Sequence, residues 1–162
     1  SDDGGASWRQ ETLPAGRTVL GLSISTGAQP ILYLVTPHGP AQAHVGVAAA
    51  TGADIFASAD GGATWKQAPA AGMPPGSGII PNAVAALSDG RLVVAFNDAP
   101  IIELYTWRPG QSSLTKLALI DSGTAPAALV NIPASGHDVL WLTVAVGNDP
   151  RAATYTVYTD TL

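Results

Sequence analysis

The sequence predicts an all-β chain built from repeated antiparallel sheets, and three observations predict it. Short apolar runs bounded by Gly, Pro, Asn, Asp and Ser recur along the chain, as strands and turns do. An eight-residue pattern, Ser-x-Asp-Gly-Gly-x-(Ser/Thr)-Trp, stands at Ser1 to Trp8 and again at Ser58 to Trp65. The run entering the second copy, Ile55-Phe56-Ala57, lines up with Leu104-Tyr105-Thr106 and Val157-Tyr158-Thr159. A period of about fifty residues with several short strands per repeat reads as the blade of a β-propeller. About three four-stranded blades are expected, an incomplete ring, because closed propellers have roughly four to eight.

Each repeat parses in the same order. Residues 1–13 supply the end of one blade, a turn and an outer strand over Ser7 to Leu13. The blade at 18–69 has strands at Thr18 to Ser25 and Ile31 to Thr36, then a Gly, Ala and Pro-rich excursion from Pro37 to Gly52. Its third strand is Asp54 to Ser58 and its outer strand starts at Thr64. The blade at 81–120 has strands at Asn82 to Leu87, Arg91 to Phe96, Ile101 to Trp107 and Leu114 to Ile120. The Asp89-Gly90 pair between its first two strands is a strong hairpin signal. The blade at 124–162 has strands at Ala127 to Ile132, Val139 to Val146 and Thr154 to Tyr158, and it lacks an outer strand. Helices are not expected, since the Ala-rich patches at Ala48 to Ala50 and Ala125 to Ala128 are short and close to Gly or Pro. A chain that opens inside the pattern, without Met or signal peptide, reads as a segment of a longer protein.

The fixed positions of the octapeptide each have a physical task. The Asp60 carboxylate can accept hydrogen bonds from N–H groups of its own turn, and the Ser58 hydroxyl can add another. Gly61 and Gly62 supply positive φ, which a residue with a Cβ reaches only at a cost. Trp65 leaves the turn as a large apolar anchor whose indole N–H needs a partner.

Composition bounds the function classes. The chain has 162 residues, 46% of them hydrophobic and only 12% charged, which describes a globular domain with a substantial core. Twelve Asp and Glu stand against seven Lys and Arg, with no basic cluster, so nucleic acid is not an expected partner. Without cysteine there is no disulfide, thiolate nucleophile or zinc-thiolate site. The apolar runs Ile31 to Val35, Val45 to Ala50 and Val139 to Val146 are too short for a helical membrane span.

With Ser1, Asp3, Gly5 and Trp8 in one copy and Ser58, Asp60, Gly62 and Trp65 in the other, the octapeptide closely resembles the Asp-box, or BNR repeat, of sialidase-type β-propellers. The resemblance implies that the box joins the third and outermost strands of a blade, on the rim away from the substrate-binding face. It implies a structural role for these eight residues and an extracytoplasmic or secreted setting. It also supplies a list of chemistry to look for: an arginine triad, a Tyr nucleophile with Glu, and an Asp acid/base. The family's opening motif, aromatic-Arg-aliphatic-Pro, is absent, since Arg17 sits in Gly16-Arg17-Thr18-Val19.

Of five arginines, Arg91 and Arg151 lie near strand starts where a central cleft is reachable; the plainer role is hairpin capping. Glu103 precedes Tyr105 by two, which puts both side chains on one strand face, as a nucleophile and base or as a hydrogen-bonded pair on a blade flank. Trp107 and Trp141 are of a type that stacks on sugar rings, and equally of a type that packs between blades. His38, His44 and His137 stand singly in loops, so no metal site and no cofactor are expected. Asp98, Asp121 and Asp149 fit ordinary turn chemistry.

These features favour a non-catalytic Asp-box propeller segment acting as a binding or assembly scaffold for glycan or protein. The remaining blades of the same chain, or self-association, would complete its ring. The alternative is part of a secreted glycoside hydrolase, of sialidase or xyloglucanase type, whose catalytic residues lie mostly outside these residues.

Overall fold

Strands form where the sequence alternates apolar side chains on two faces, and turns form where Gly, Asp and Ser interrupt the alternation. The computed structural model describes residues 4–8, 10, 13–14, 19–38, 53–74, 80–98, 101–121, 126–134, 137–146 and 154–161. Among these the chain is all β, with no α-helix and three antiparallel sheets. The first sheet runs in the order β1 (Gly21–Ile24), β2 (Leu32–Pro37), β3 (Ala53–Ser58) and β4 (Lys66–Gln67). The second runs β5 (Ile80–Ala86), β6 (Leu92–Asp98), β7 (Ile101–Trp107) and β8 (Thr115–Asp121). The third has β9 (Pro126–Ala134), β10 (His137–Val146) and β11 (Thr154–Thr161), with β10 central. Each strand pairs with its sequence neighbour, so every sheet is a meander.

The three segments aligned by sequence, at 55, 104 and 157, fall on β3, β7 and β11, the third strand of each sheet. The register confirms the equivalence. Tyr33 pairs Ala57, Val93 pairs Thr106, and Trp141 pairs Thr159 across the second and third strands. Two expected outer strands differ. The one from Thr64 shrinks to Lys66–Gln67, because Thr64 is held inside the turn. Of the expected strand Ser7 to Leu13, the described residues Ser7, Trp8, Gln10 and Leu13 lie outside any strand. An outer strand forms by pairing with a third strand, and no described strand precedes this one. The excursion expected from Pro37 to Gly52 lies, from residue 39 on, outside the described residues.

The core sits between the sheets. Tyr33, Val35, Ile55, Ala57 and Ala68 of the first sheet side pack against Ala86, Leu92, Val94, Phe96, Tyr105 and Trp107 of the second. The opposite face of the second sheet, with Ala83, Ala85, Val93, Ala95, Ile102 and Leu104, packs on Leu129, Leu140 and Leu142 of the third. The middle sheet is therefore buried on both faces. Its strands read as the near-continuous apolar runs of a doubly covered sheet.

Polar contacts fix the stacking at one end. The Tyr33 ring meets Trp107 edge-on, with centroids 6.2 Å apart, and its hydroxyl donates to the Gly90 carbonyl. Burial, with help from the Asp89 charge, pushes the Tyr33 hydroxyl well above the usual tyrosine range, so it remains a donor. Ser23 Oγ accepts from the Ala86 N–H at 2.9 Å. Between the second and third sheets, Asp138 accepts from Ser88 N–H and Oγ–H, both at 2.9 Å, and from Asn131 Nδ2 at 2.9 Å. Asn131 also donates to the Ala86 carbonyl at 3.1 Å. Burial raises the Asp138 carboxyl, but donation from Asn131 and Ser88 outweighs it and holds the group below its ordinary value.

Asp138 is 3% exposed, so removing its carboxylate strands the Ser88 N–H. Asp138→Ala is expected to lower unfolding free energy by roughly 1.5–3 kcal/mol in urea titration, and Tyr33→Phe by about 1 kcal/mol. Because the folded Asp138 carboxyl sits below its unfolded value, its contribution is present above about pH 4 and fades as pH falls below that. An Asp138→Ala midpoint equal to the parent's at pH 7 would refute the bridging role.

Candidate functional site

The most heavily specified local structure is the turn at Ser58–Trp65, between β3 and β4. Ser58 Oγ accepts from the Gly62 N–H at 2.8 Å and donates to Asp60 Oδ1 at 2.7 Å. Asp60 accepts from the Thr64 N–H at 2.9 Å and from Thr64 Oγ1–H at 2.5 Å. Hydrogen bonding from the Thr64 side chain and backbone, then from Ser58, draws the Asp60 carboxyl down to about 2. The glycines adopt the positive φ expected, 71° at Gly61 and 96° at Gly62. The first copy repeats this backbone, with φ of 69° at Gly4 and 95° at Gly5. In both turns the Trp ring lies over the second glycine, at 3.8 Å for Trp8 and 3.7 Å for Trp65 from a Cβ built there. Ser1 and Asp3 lie outside the described residues.

The two tryptophans differ in surroundings. Trp65 is half-buried on its sheet, whereas Trp8 is 82% exposed and donates to the Gly5 carbonyl at 3.1 Å. The partner expected for the Trp65 indole N–H is not found among the described residues.

Glu103 and Tyr105 share a face of β7, and the Tyr105 hydroxyl donates to Glu103 Oε2 at 2.8 Å. Sequence reasoning missed the third member. Lys116, paired with Tyr105 across β7 and β8, donates to Glu103 Oε1 at 2.6 Å and stands 5.5 Å from the Tyr105 ring centroid. The Lys116 hydrogen bond pulls the Glu103 carboxyl down, opposed by burial and aided by Tyr105. Burial and then Glu103 push the Tyr105 hydroxyl up. A nucleophilic phenol needs the opposite shift. Tyr105 is also 5% exposed and packs edge-on against Phe96, at 5.6 Å between centroids. The pair is present and closed, a packed and saturated contact within the sheet stack.

Arg91 is held in the hairpin-capping role that the sequence offered as the plainer one. It follows the β5–β6 turn, where its Nε donates to Asp89 Oδ2 at 2.6 Å while its N–H donates to Asp89 Oδ1 at 3.0 Å. That turn lies beside the octapeptide: Ser88, Asp89 and Gly90 line an open depression of about 280 Å³ together with Gly27, Ile31 and Ala59. The physical reason is antiparallel geometry, which sends the first and third turns of a meander to the same end. Trp141 lies on the outward face of the third sheet, 43% exposed. Trp107, the other sugar-stacking candidate, is buried. Arg151, His44 and Asp149 lie outside the described residues. Among the described residues no group of three His, Cys, Asp or Glu is arranged to hold a metal, and no helix is long and apolar enough to cross a membrane.

Two further polar sites were not legible. Gln111 closes the β7–β8 turn, accepting from the Arg108 N–H at 2.8 Å with its side chain while its carbonyl takes the Trp107 indole N–H at 3.2 Å. His38 Nδ1 lies 2.9 Å from the buried Asp54, which also accepts from Gln67 Nε2 at 3.0 Å. Neither has a sequence signal beyond its residue type.

No protein-family model matches the chain, and no curated protein does. Among solved structures it is similar to a point mutant of NanB sialidase from Streptococcus pneumoniae, with a TM-score of 0.60 and 20% identity. The likeness covers 97% of this chain and 25% of that one. It is a likeness of fold, all-β and sialidase-like.

Asp60→Asn is expected to lower the melting temperature by a few degrees at pH 7. Since the Asp60 carboxyl lies at about 2 against an ordinary 3.8, the parent's advantage holds above pH 4 and disappears between pH 4 and 2. Melting curves of the two proteins recorded across that range check it, and a gap that persists at pH 2 would count against the charged turn.

Proposed function

We propose that this chain is a stretch of sialidase-like β-propeller that serves as a binding or assembly scaffold for a glycan or protein partner, in an extracytoplasmic setting, without catalysis of its own. The reading treats its sheets as blades and its Ser58–Trp65 turn as an Asp-box. The observation that carries it is the state of the Glu103–Tyr105 pair. A Tyr nucleophile needs an open approach and a base free to take its proton. Here the phenol is buried between sheets and its carboxylate partner is already bound to Lys116. Arg91 likewise spends its charge on Asp89. The residues with chemical potential thus serve the turns and sheet contacts.

A second reading draws on the likeness to a sialidase, of whose chain this one spans about a quarter. In it the chain is a structural part of a secreted glycoside hydrolase, with the reacting carboxylates and arginines on other segments. The two readings share the fold and differ in what the whole protein does.

The 162-residue chain is expected to release no fluorophore from an aryl sialoside at any pH between 4 and 8. Turnover that is lost in Tyr105→Phe would overturn the scaffold reading and make the pair catalytic. In a longer protein that proves active, Tyr105→Phe is expected to leave kcat within about twofold of the parent, as befits a residue that touches no substrate.

A further inference from the structure

We infer that the turn end of the first two sheets carries a docking trough for an acidic, extended peptide segment of a partner protein, with Arg108 as the residue that takes its carboxylate. The inference rests on the scaffold reading above and gives that scaffold a binding site and a partner.

Three turns meet there. The depression lined by Gly27, Ile31, Ala59 and the β5–β6 turn continues into a second, of about 410 Å³, lined by Ile31, Asp89, Gly90 and the β7–β8 turn from Arg108 to Gln111. Ile31, Asp89 and Gly90 belong to both, so the two form one trough that crosses from the octapeptide turn to the β7–β8 turn. Close packing sets its floor. A Cβ at Gly90, where φ is 84°, would stand 3.2 Å from Ile31 Cδ1, and the Gly90 carbonyl is held by the buried Tyr33 hydroxyl. A trough fixed in this way exists before its occupant arrives, which lowers the ordering cost of binding.

Charge selects an acid. Asp89 is offset by Arg91, whose Nε donates to it at 2.6 Å, and Asp138 behind Ser88 is buried and held by Ser88 and Asn131. Arg108 is exposed, and its guanidinium makes no ion pair among the described residues. It stands close enough to the middle of the trough that its charge, with that of Asp89, acts on the Tyr33 hydroxyl at Gly90. Beside it, Gln111 Oε1 is taken by the Arg108 N–H, which leaves the Gln111 Nε2 amide as a further donor. A guanidinium with an amide donor next to it fits a carboxylate. A net charge of −5 draws no acid from a distance, so recognition is local to this corner.

Shape selects a peptide over a saccharide. Gly27, Ala28, Ala59, Gly90 and Gly110 line the trough with little side chain, which leaves main-chain groups accessible, and an extended peptide carries donors and acceptors to match them. A sugar ring packs on an aromatic face, and among the described residues no aromatic side chain lines the trough. Tyr33 and Trp107, packed behind Gly90, are buried.

A positional-scanning library of short labelled peptides, titrated with the 162-residue chain and read by fluorescence polarisation, tests this. Peptides with Asp or Glu at one fixed position are expected to be preferred over their Asn or Gln counterparts by about tenfold or more. Arg108→Gln, at an exposed position, is expected to remove that preference, and Arg108→Lys to keep part of it. Ala59→Phe, which fills the trough from the octapeptide side, is expected to weaken every peptide at an unchanged melting temperature. A library without acid preference, or a preference that Arg108→Gln leaves intact, would overturn the inference. Acidic oligosaccharides retained through Arg108 on a parallel array, with no peptide bound, would overturn the peptide assignment. A chain that binds no peptide and turns over no sialoside would lose this site and keep the scaffold reading, whereas sialoside turnover beside Arg108-dependent peptide binding would do the reverse.

Discussion

Everything in this structure depends on sheets that are apolar on both faces. A strand with one wet face alternates, but β6, with Leu92, Val93, Val94, Ala95 and Phe96 all buried, has no wet face to offer. Such a sheet is stable only between two others. Burying a Val, Leu or Phe side chain gains about 1.5–3 kcal/mol, and the middle sheet collects that gain on both sides. The first sheet also buries Leu34 and Phe56 on its other face, while its Leu22 and Ile24 and the third sheet's Val130, Ile132 and Trp141 stay exposed. Stacking therefore propagates, because each added sheet covers one face and presents another of the same kind.

Apolar stacking sets no rotation of one sheet against the next, so directional contacts must do so. They gather at the turn end: Tyr33 to Gly90, Ser23 to Ala86, and Ser88 with Asn131 around Asp138. Close backbone approach adds to this register. A Cβ at Gly27 would stand 2.5 Å from the Ser88 carbonyl oxygen, so the β1–β2 turn lies on the neighbouring turn as only glycine permits. These contacts lie at the end of the sheets that carries the octapeptide turn at Ser58–Trp65.

Strand order and repeat period were legible because alternation and turn residues are local signals. Ile101–Trp107 matches its strand end to end, and the Asp89-Gly90 hairpin forms where it was read. The octapeptide was equally legible, since all its hydrogen bonds run within eight residues. The Glu103–Tyr105 contact was legible as a same-face pair, but its meaning was not. Lys116, thirteen residues on, and the sheet that lies over Tyr105 carry no local signal. For Arg91, sequence gives a strand start without saying that the turn before it lies beside the octapeptide turn. Asp138 and Tyr33 were invisible, their partners lying 50 and 57 residues away.

The β7–β8 turn, which has no Asp, differs from the octapeptide turn in how it is closed. Ser58 and Trp107 occupy one register position, pairing Leu32 and Leu92 respectively. In the first sheet that position supplies a hydroxyl which organises the turn from within. In the second it supplies an indole whose N–H still closes the turn, on the Gln111 carbonyl, while its ring reaches across to Tyr33. In place of a self-contained turn the second sheet has a contact between sheets. The first octapeptide turn has the same glycine angles, with Trp8 exposed. A turn closed as in the second sheet needs a neighbour. The second sheet, whose β7–β8 turn is of this kind, is the one with a described neighbour on each face.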